Sequence, residues 1–219
     1  MQRKTYFTPD SLRETSRAML DALAPLRARH ADLKFQPPRA ALLVLDMQDY
    51  FLDPDSHAFI PSAPAILPNL QKLITEFSRH DRPVIFTRHL NTDSDAGGMS
   101  RWWRDLLRED SPRSDILSAL DASTGIHIRK TQYDAFHGTS LEQELRGRGV
   151  EQVVVTGVMT HLCCETTARS AFVCGFEVLF CVDGTATYNE AFQRASLLNL
   201  AHGFALPVLC KEIAFQDNG

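Results

Sequence analysis

Three short stretches carry side chains able to do covalent chemistry. Asp46 closes the apolar run AALLVLD at 40–46. Lys130 follows IHIR at 126–129, and Cys163 stands in the first turn of the helical stretch that follows QVVVTG at 152–157. A thiol at a helix start faces the positive end of the helix dipole and unpaired backbone N–H groups. Both favour the thiolate, and a neighbouring Lys130 adds to the effect. Asp46 is placed to accept the thiol proton and return it to a leaving group. Backbone N–H groups around Met159 and Cys163 can hold an oxyanion. The chemistry this predicts is acyl transfer to sulfur. Each residue also has a plainer reading. Asp46 can cap a turn, Lys130 can be a solvated surface lysine, and a cysteine in an apolar helix is more often a small core residue. Cys164, Cys174, Cys181 and Cys210 are read as core residues.

These groups meet only if the elements between them bring the strand ends together. Strand-like runs at 40–46, 83–88, 126–129, 152–157, 176–182 and 206–209 alternate with helix-like runs at 64–80, 139–148, 161–174 and 188–203. Leu70, Leu73, Ile74 and Phe77 repeat at helical spacing. Such alternation predicts an α/β fold, with right-handed crossovers and a mostly parallel sheet between helices. Ligands then bind at the carboxyl ends of the strands. A further helix is expected over 9–30, with Thr8 as its cap, Pro9 at its first position and Pro25 kinking or ending it. Gln36-Pro37-Pro38 breaks the chain after it, so the expected division is a helical extension over 1–35 and a catalytic domain over 36–219.

The chain has 219 residues, 44% of them hydrophobic and 23% charged. That suits one domain with small appendages. Twenty-three Lys and Arg against 27 Asp and Glu give a formal net charge of −4, which argues against nucleic acid or an anionic membrane as partner. No apolar run is long enough to span a bilayer, and MQRKTYFTPDSLRETSR does not read as a secretory signal. Five cysteines inside apolar runs fit reduced thiols and a cytoplasmic setting. No Gly-x-Gly-x-x-Gly follows the first strand and no P-loop motif occurs, which disfavours dinucleotide and nucleotide enzymes.

VLDMQDYF at 44–51, RKTQYDAFHGTSLEQELRGRGV at 129–150 and the long stretch from VVVTGVMTHLCCETTARSAF onward, 153–192, resemble the isochorismatase-like hydrolase superfamily. The resemblance runs from about residue 36 to 213. It implies a three-layer, Rossmann-like α/β sandwich with a six-stranded parallel sheet, and a homo-oligomer, dimer or tetramer. It implies an Asp46, Lys130 and Cys163 triad, an oxyanion hole from the Met159 and Cys163 amides, and a cis peptide at Val158–Met159. Cys163 rather than Cys164 falls on the nucleophile position; Cys164 is turned about 100° around the helix and should face away.

Within that superfamily the N-terminal features and the His161-x-Cys163-Cys164 spacing are similar to the isochorismatases, whose nucleophile position is typically a small residue. Cys163 makes thioester chemistry on an amide-type C–N bond available. Vinyl ether hydrolysis, isochorismate to 2,3-dihydro-2,3-dihydroxybenzoate and pyruvate, stays open, as does a binding protein on the same fold. The nicotinamidase metal motif Asp-Trp-His-Pro is absent; Thr87-Arg88-His89-Leu90-Asn91 stands there. Asp53, Asp55 and His57 read as a polar loop. No metal and no cofactor is therefore expected, and nicotinamide is disfavoured as substrate. The candidate substrate-binding residues for a small molecule are Gln48, Phe51, Arg88, Tyr133, Phe136 and His161. Trp102-Trp103 reads either as a lid or subunit contact, or as a helix face on the body.

Overall fold

The structure is a computed structural model that describes residues 2–103 and 105–215. Six strands form one parallel sheet in the order β3-β2-β1-β4-β5-β6. They are β1 (Ala40–Leu45), β2 (Val84–His89), β3 (Ile126–Lys130), β4 (Gln152–Val158), β5 (Glu177–Ala186) and β6 (Leu206–Val208). The central β1 and β4 are buried along their whole length. That is why they read as unbroken apolar runs rather than alternating ones.

The helices are α1 (Leu12–Ala22), α2 (Ala24–Arg27), α3 (Asp49–Leu52), α4 (Ala63–Arg79), α5 (Met99–Trp102), α6 (Leu141–Gly147), α7 (Glu165–Val173) and α8 (Glu190–Gly203). The chain runs outward from β1 to β3 in one direction and from β4 to β6 in the other. Right-handed crossovers therefore place α4 on one face and α6, α7 and α8 on the opposite face. The reversal falls between β1 and β4, so a crevice opens at their carboxyl ends.

The N-terminal stretch departs from one long helix. Thr8 and Ser11 bond reciprocally, each backbone N–H to the other's hydroxyl oxygen, and the helix begins only at Leu12. It stops at Leu23 and restarts with Pro25 in the first turn of α2, because proline has no N–H to continue the ladder. Phe7, Met19, Leu20 and Leu23 are buried in the same apolar cluster as the sheet. The stripe that a lone helix could not bury is therefore covered by the body of the same chain.

Two local features decide how β1 and β4 end. Asp46 has φ 51°, a left-handed conformation that a short polar residue tolerates better than most. Gly157 has φ 105°, and a Cβ there would lie 2.1 Å from the Leu45 carbonyl oxygen. Only glycine lets β4 pass this close to the residue before Asp46.

Candidate active site

Asp46, Lys130 and Cys163 converge at the floor of the crevice. Lys130 Nζ lies 2.9 Å from Asp46 Oδ2, and both side chains are fully buried. The same ammonium lies 3.3 Å from Cys163 Sγ and donates to the Gln132 carbonyl oxygen at 2.8 Å. Thr87 grips the carboxylate from the neighbouring strand. Its hydroxyl donates to Asp46 Oδ1 at 2.6 Å and accepts from the Asp46 N–H at 3.0 Å. Oδ2 accepts no aligned hydrogen bond, and a carboxylate oxygen, a His89 nitrogen and the sulfur lie within 4.8 Å of one another. The Asp46 carboxylate thus stands close to the thiol.

The turn that carries Cys163 is π-helical over Thr160–Cys164 and leads into α7. A π turn widens the helix start, a feature frequent at functional sites. The Val158–Met159 peptide before it is cis. Met159 and Cys163 both line the crevice. Cys164 is fully buried, its sulfur directed at the Thr156 carbonyl.

Electrostatics modify the sequence expectation of a resting thiolate. Burial pushes the Cys163 thiol up to about 12, and the Asp46 carboxylate pushes the same way, while Lys130 opposes both. Burial pulls the Lys130 ammonium down, but Asp46 and Cys163 more than offset it, and the net direction is up. Cys163 therefore rests as a protonated thiol beside Asp46 and Lys130. The helix-start field does not overcome desolvation and the adjacent negative charge.

His89, at the end of β2, is a neighbour that the sequence reading passed over. Its Nε2 lies 3.0 Å from Asn91 Oδ1 and its Nδ1 lies 3.2 Å from Lys130 Nζ. Since the amide oxygen only accepts and the ammonium only donates, the ring carries its proton on Nε2. Burial and then Lys130 hold it down at about 4, so it stays neutral. Scanning every strand end, and not only those with an acid, a lysine or a thiol, would have found it.

The candidate substrate residues divide. Phe51 and Tyr133 line the crevice, together with Tyr50, Trp103, Leu107 and Leu162. Gln48 does not reach it. Its Oε1 accepts from the His89 N–H and its Nε2 donates to the Ser114 carbonyl, so it braces the backbone of β2. Arg88 is drawn away by Ser114 and Asp115. Phe136 packs on Phe176. His161 stacks on Phe192 and bonds Thr187. The long polar side chains found backbone or ionic partners elsewhere, a choice that residue type alone does not reveal. Trp102 is 82% exposed, while Trp103 turns inward against His57.

Residues 40–212 match the isochorismatase domain family. The chain belongs to the isochorismatase family. It is accordingly a hydrolase on a parallel α/β sheet. Among its relatives is Nicotinamidase 3 of Arabidopsis thaliana, 41% identical over 179 residues, which cover 80% of this chain and 86% of that protein. A cysteine hydrolase from Pseudomonas syringae pv. phaseolicola 1448A superposes with a TM-score of 0.79 at 29% identity, covering 83% of this chain and 93% of that one. The pyrazinamidase of Pyrococcus horikoshii, solved in complex with zinc, superposes with a TM-score of 0.70 at 26% identity, covering 78% and 99%. No helix among the described residues is long and apolar enough to cross a membrane.

Proposed function

We propose that this hydrolase cleaves the C–N bond of a small, flat, neutral amide, an aromatic carboxamide of the nicotinamide type, through a thioester on Cys163. The observation that carries the reading is the meeting of Asp46, Lys130 and Cys163 beneath a small crevice walled by Tyr50, Phe51, Trp103 and Tyr133. The absence of Asp-Trp-His-Pro argues against nicotinamide at the level of sequence. The similarity to a plant nicotinamidase argues for it.

The steps follow from the groups present. Asp46 takes the proton from Cys163 as the sulfur attacks the carbonyl carbon, so no free thiolate need persist beforehand. Lys130 holds the carboxylate in place and compensates the negative charge as it moves from oxygen to sulfur. The Met159 and Cys163 amides receive the oxyanion. The tetrahedral adduct collapses, ammonia leaves with the proton from Asp46, and an acyl-thioester remains. Asp46 then deprotonates a water molecule, which releases the carboxylic acid and returns the thiol.

Two further considerations support this reading. Isochorismate is a dianion, and apart from Lys130 at the floor, which is paired with Asp46, the described residues lining the crevice include no cation, since Arg88 is engaged elsewhere. A metal ion does not fit the donor set. Among the described residues, Asp46, His89 and Cys163 are the one group with ligand atoms close together, and the Lys130 ammonium stands within 3.3 Å of an atom of each. A second cation there would stand against the Lys130 ammonium and compete with it for the Asp46 carboxylate. No step is routed through a metal.

The test is a panel of aromatic carboxamides, a ureido acid and isochorismate, offered to the wild type and to Cys163→Ala. The expected result is ammonia and carboxylate from a carboxamide, an acyl adduct on Cys163 by intact mass, and no turnover by the variant. Pyruvate from isochorismate with both proteins, and no amide cleavage, would refute the proposal.

A further inference from the structure

The turn that carries the sulfur is anchored from outside the family domain. Tyr6 precedes the matched region 40–212. Its segment is seated on the body: the Tyr6 and Phe7 N–H groups both donate to the Ser62 hydroxyl, and the Lys4 N–H donates to the Tyr188 carbonyl. The Tyr6 hydroxyl donates to Gln193 Oε1 at 3.0 Å and accepts from the Thr187 N–H at 3.0 Å. Gln193 Oε1 also accepts from the Thr160 hydroxyl at 2.6 Å. Its Nε2 donates towards Thr185 and the Val182 carbonyl. Thr187 Oγ1 in turn bonds His161 Nδ1 at 2.5 Å. Thr160, Thr187 and Gln193 are wholly buried.

One phenol therefore ties down both side chains that open the nucleophile turn, Thr160 through Gln193 and His161 through Thr187. Thr160 directly follows Met159, whose carbonyl accepts from the Leu162 and Cys164 N–H groups. Movement of Thr160 moves the backbone on either side of the proposed oxyanion donors. The Gln193 amide has its orientation fixed, since two hydroxyl donors converge on Oε1 and backbone acceptors face Nε2. Burial pushes the Tyr6 phenol up, so it keeps its proton and remains a donor.

We propose that Tyr6 is a positioning residue, holding the Met159–Cys163 turn in register with the reacting carbonyl through Gln193 and Thr160. The proposal rests on Cys163 being the nucleophile. It predicts that the N-terminal segment contributes to turnover and not merely to folding. Loss of the hydroxyl loosens donors whose placement matters most in the transition state, so kcat is affected before KM.

The experiment compares wild type, Tyr6→Phe, Thr160→Val and the double variant. With an aromatic carboxamide, Tyr6→Phe is expected to lower kcat about tenfold, with KM changed less than twofold. The double variant should fall no further than the more impaired single one, because both substitutions break one chain of contacts. A second arm follows hydrogen exchange by mass spectrometry. Tyr6→Phe should speed exchange in a peptide covering 158–164 and leave β1 unchanged. Unaltered kcat, unaltered exchange in the turn, additive losses, or equal acceleration in β1 would each overturn the proposal. A wild type inert to every amide would instead count against the assigned reaction. The exchange arm then decides the positioning role by itself, faster exchange confined to the turn supporting it and unchanged exchange ending it.

Discussion

Replacing Asp46 by Asn separates the two effects that its carboxylate has on the sulfur. The substitution is nearly isosteric and removes one negative charge from a site where carboxylate, ammonium and thiol are all buried. As proton acceptor and donor the carboxylate should be worth about 10²–10⁴ in kcat. As a neighbouring charge it does the reverse for thiol ionisation, because it raises the Cys163 pKa while Lys130 lowers it. Asp46→Asn leaves Lys130 unopposed, so the thiol pKa falls. Turnover and alkylation should therefore move in opposite directions. Ammonia release should drop by at least about a hundredfold, and modification of Cys163 by iodoacetamide at pH 7.5, followed by intact mass, should become faster. A stability cost of about 3–5 kcal/mol accompanies the change, since half of a buried ion pair is left. Lys130 keeps its bond to the Gln132 carbonyl, which favours the lower end of that range, and urea titration measures it. Alkylation slowing in step with turnover in a folded Asp46→Asn protein would refute the reasoning. It would mean that the carboxylate promotes sulfur ionisation in the resting site.

Other outcomes follow from the same contacts. Gly157→Ala sets a Cβ against the Leu45 backbone at a positive φ, and should cost about 3–5 kcal/mol; a melting temperature within 2–3 °C of wild type, a shift of about 1 kcal/mol at this size, would contradict it. His89 is held at about 4 in the folded chain against an ordinary 6.5. Between those values the unfolded chain binds a proton that the folded one does not, so stability rises with pH across that window and is lost as the solution is acidified. The His89 share approaches about 3 kcal/mol, and His161, likewise held down at about 4 by burial, adds a contribution of the same sign. Urea unfolding at pH 7, 5.5 and 4 checks the slope, and a flat profile would show that both rings are protonated in the native state.

How much of this was legible in sequence depended on how local each signal was. The six strands were readable because a buried parallel strand is an unbroken apolar run, and all six begin within a residue of where the pattern put them. β5 runs four residues beyond its apolar stretch, through Asp183-Gly184-Thr185-Ala186. A register shift against β4 lets that polar segment keep pairing, and no local pattern announces a bulge. The helix expected over 9–30 with an interruption at Pro25 is interrupted at Leu23, with Pro25 in the first turn of α2, where proline's missing N–H costs nothing.

Side chains at the site divided along the same line. Asp46, Lys130 and Cys163 could be singled out from type and position, since strand order alone brings the ends of β1, β3 and β4 to one edge. Direction is not encoded so locally. Arg88 and His89 are consecutive on β2, and side chains alternate between faces, so His89 enters the cluster and Arg88 leaves it. Gln48 was expected to meet a substrate, yet it meets backbone, because a buried amide must satisfy both of its ends and the nearest partners were His89 and Ser114. The protonation of the sulfur was likewise beyond reach of the sequence. Helix start, lysine and aspartate pull the thiol in opposite directions, and only their distances and burial determine which of them wins.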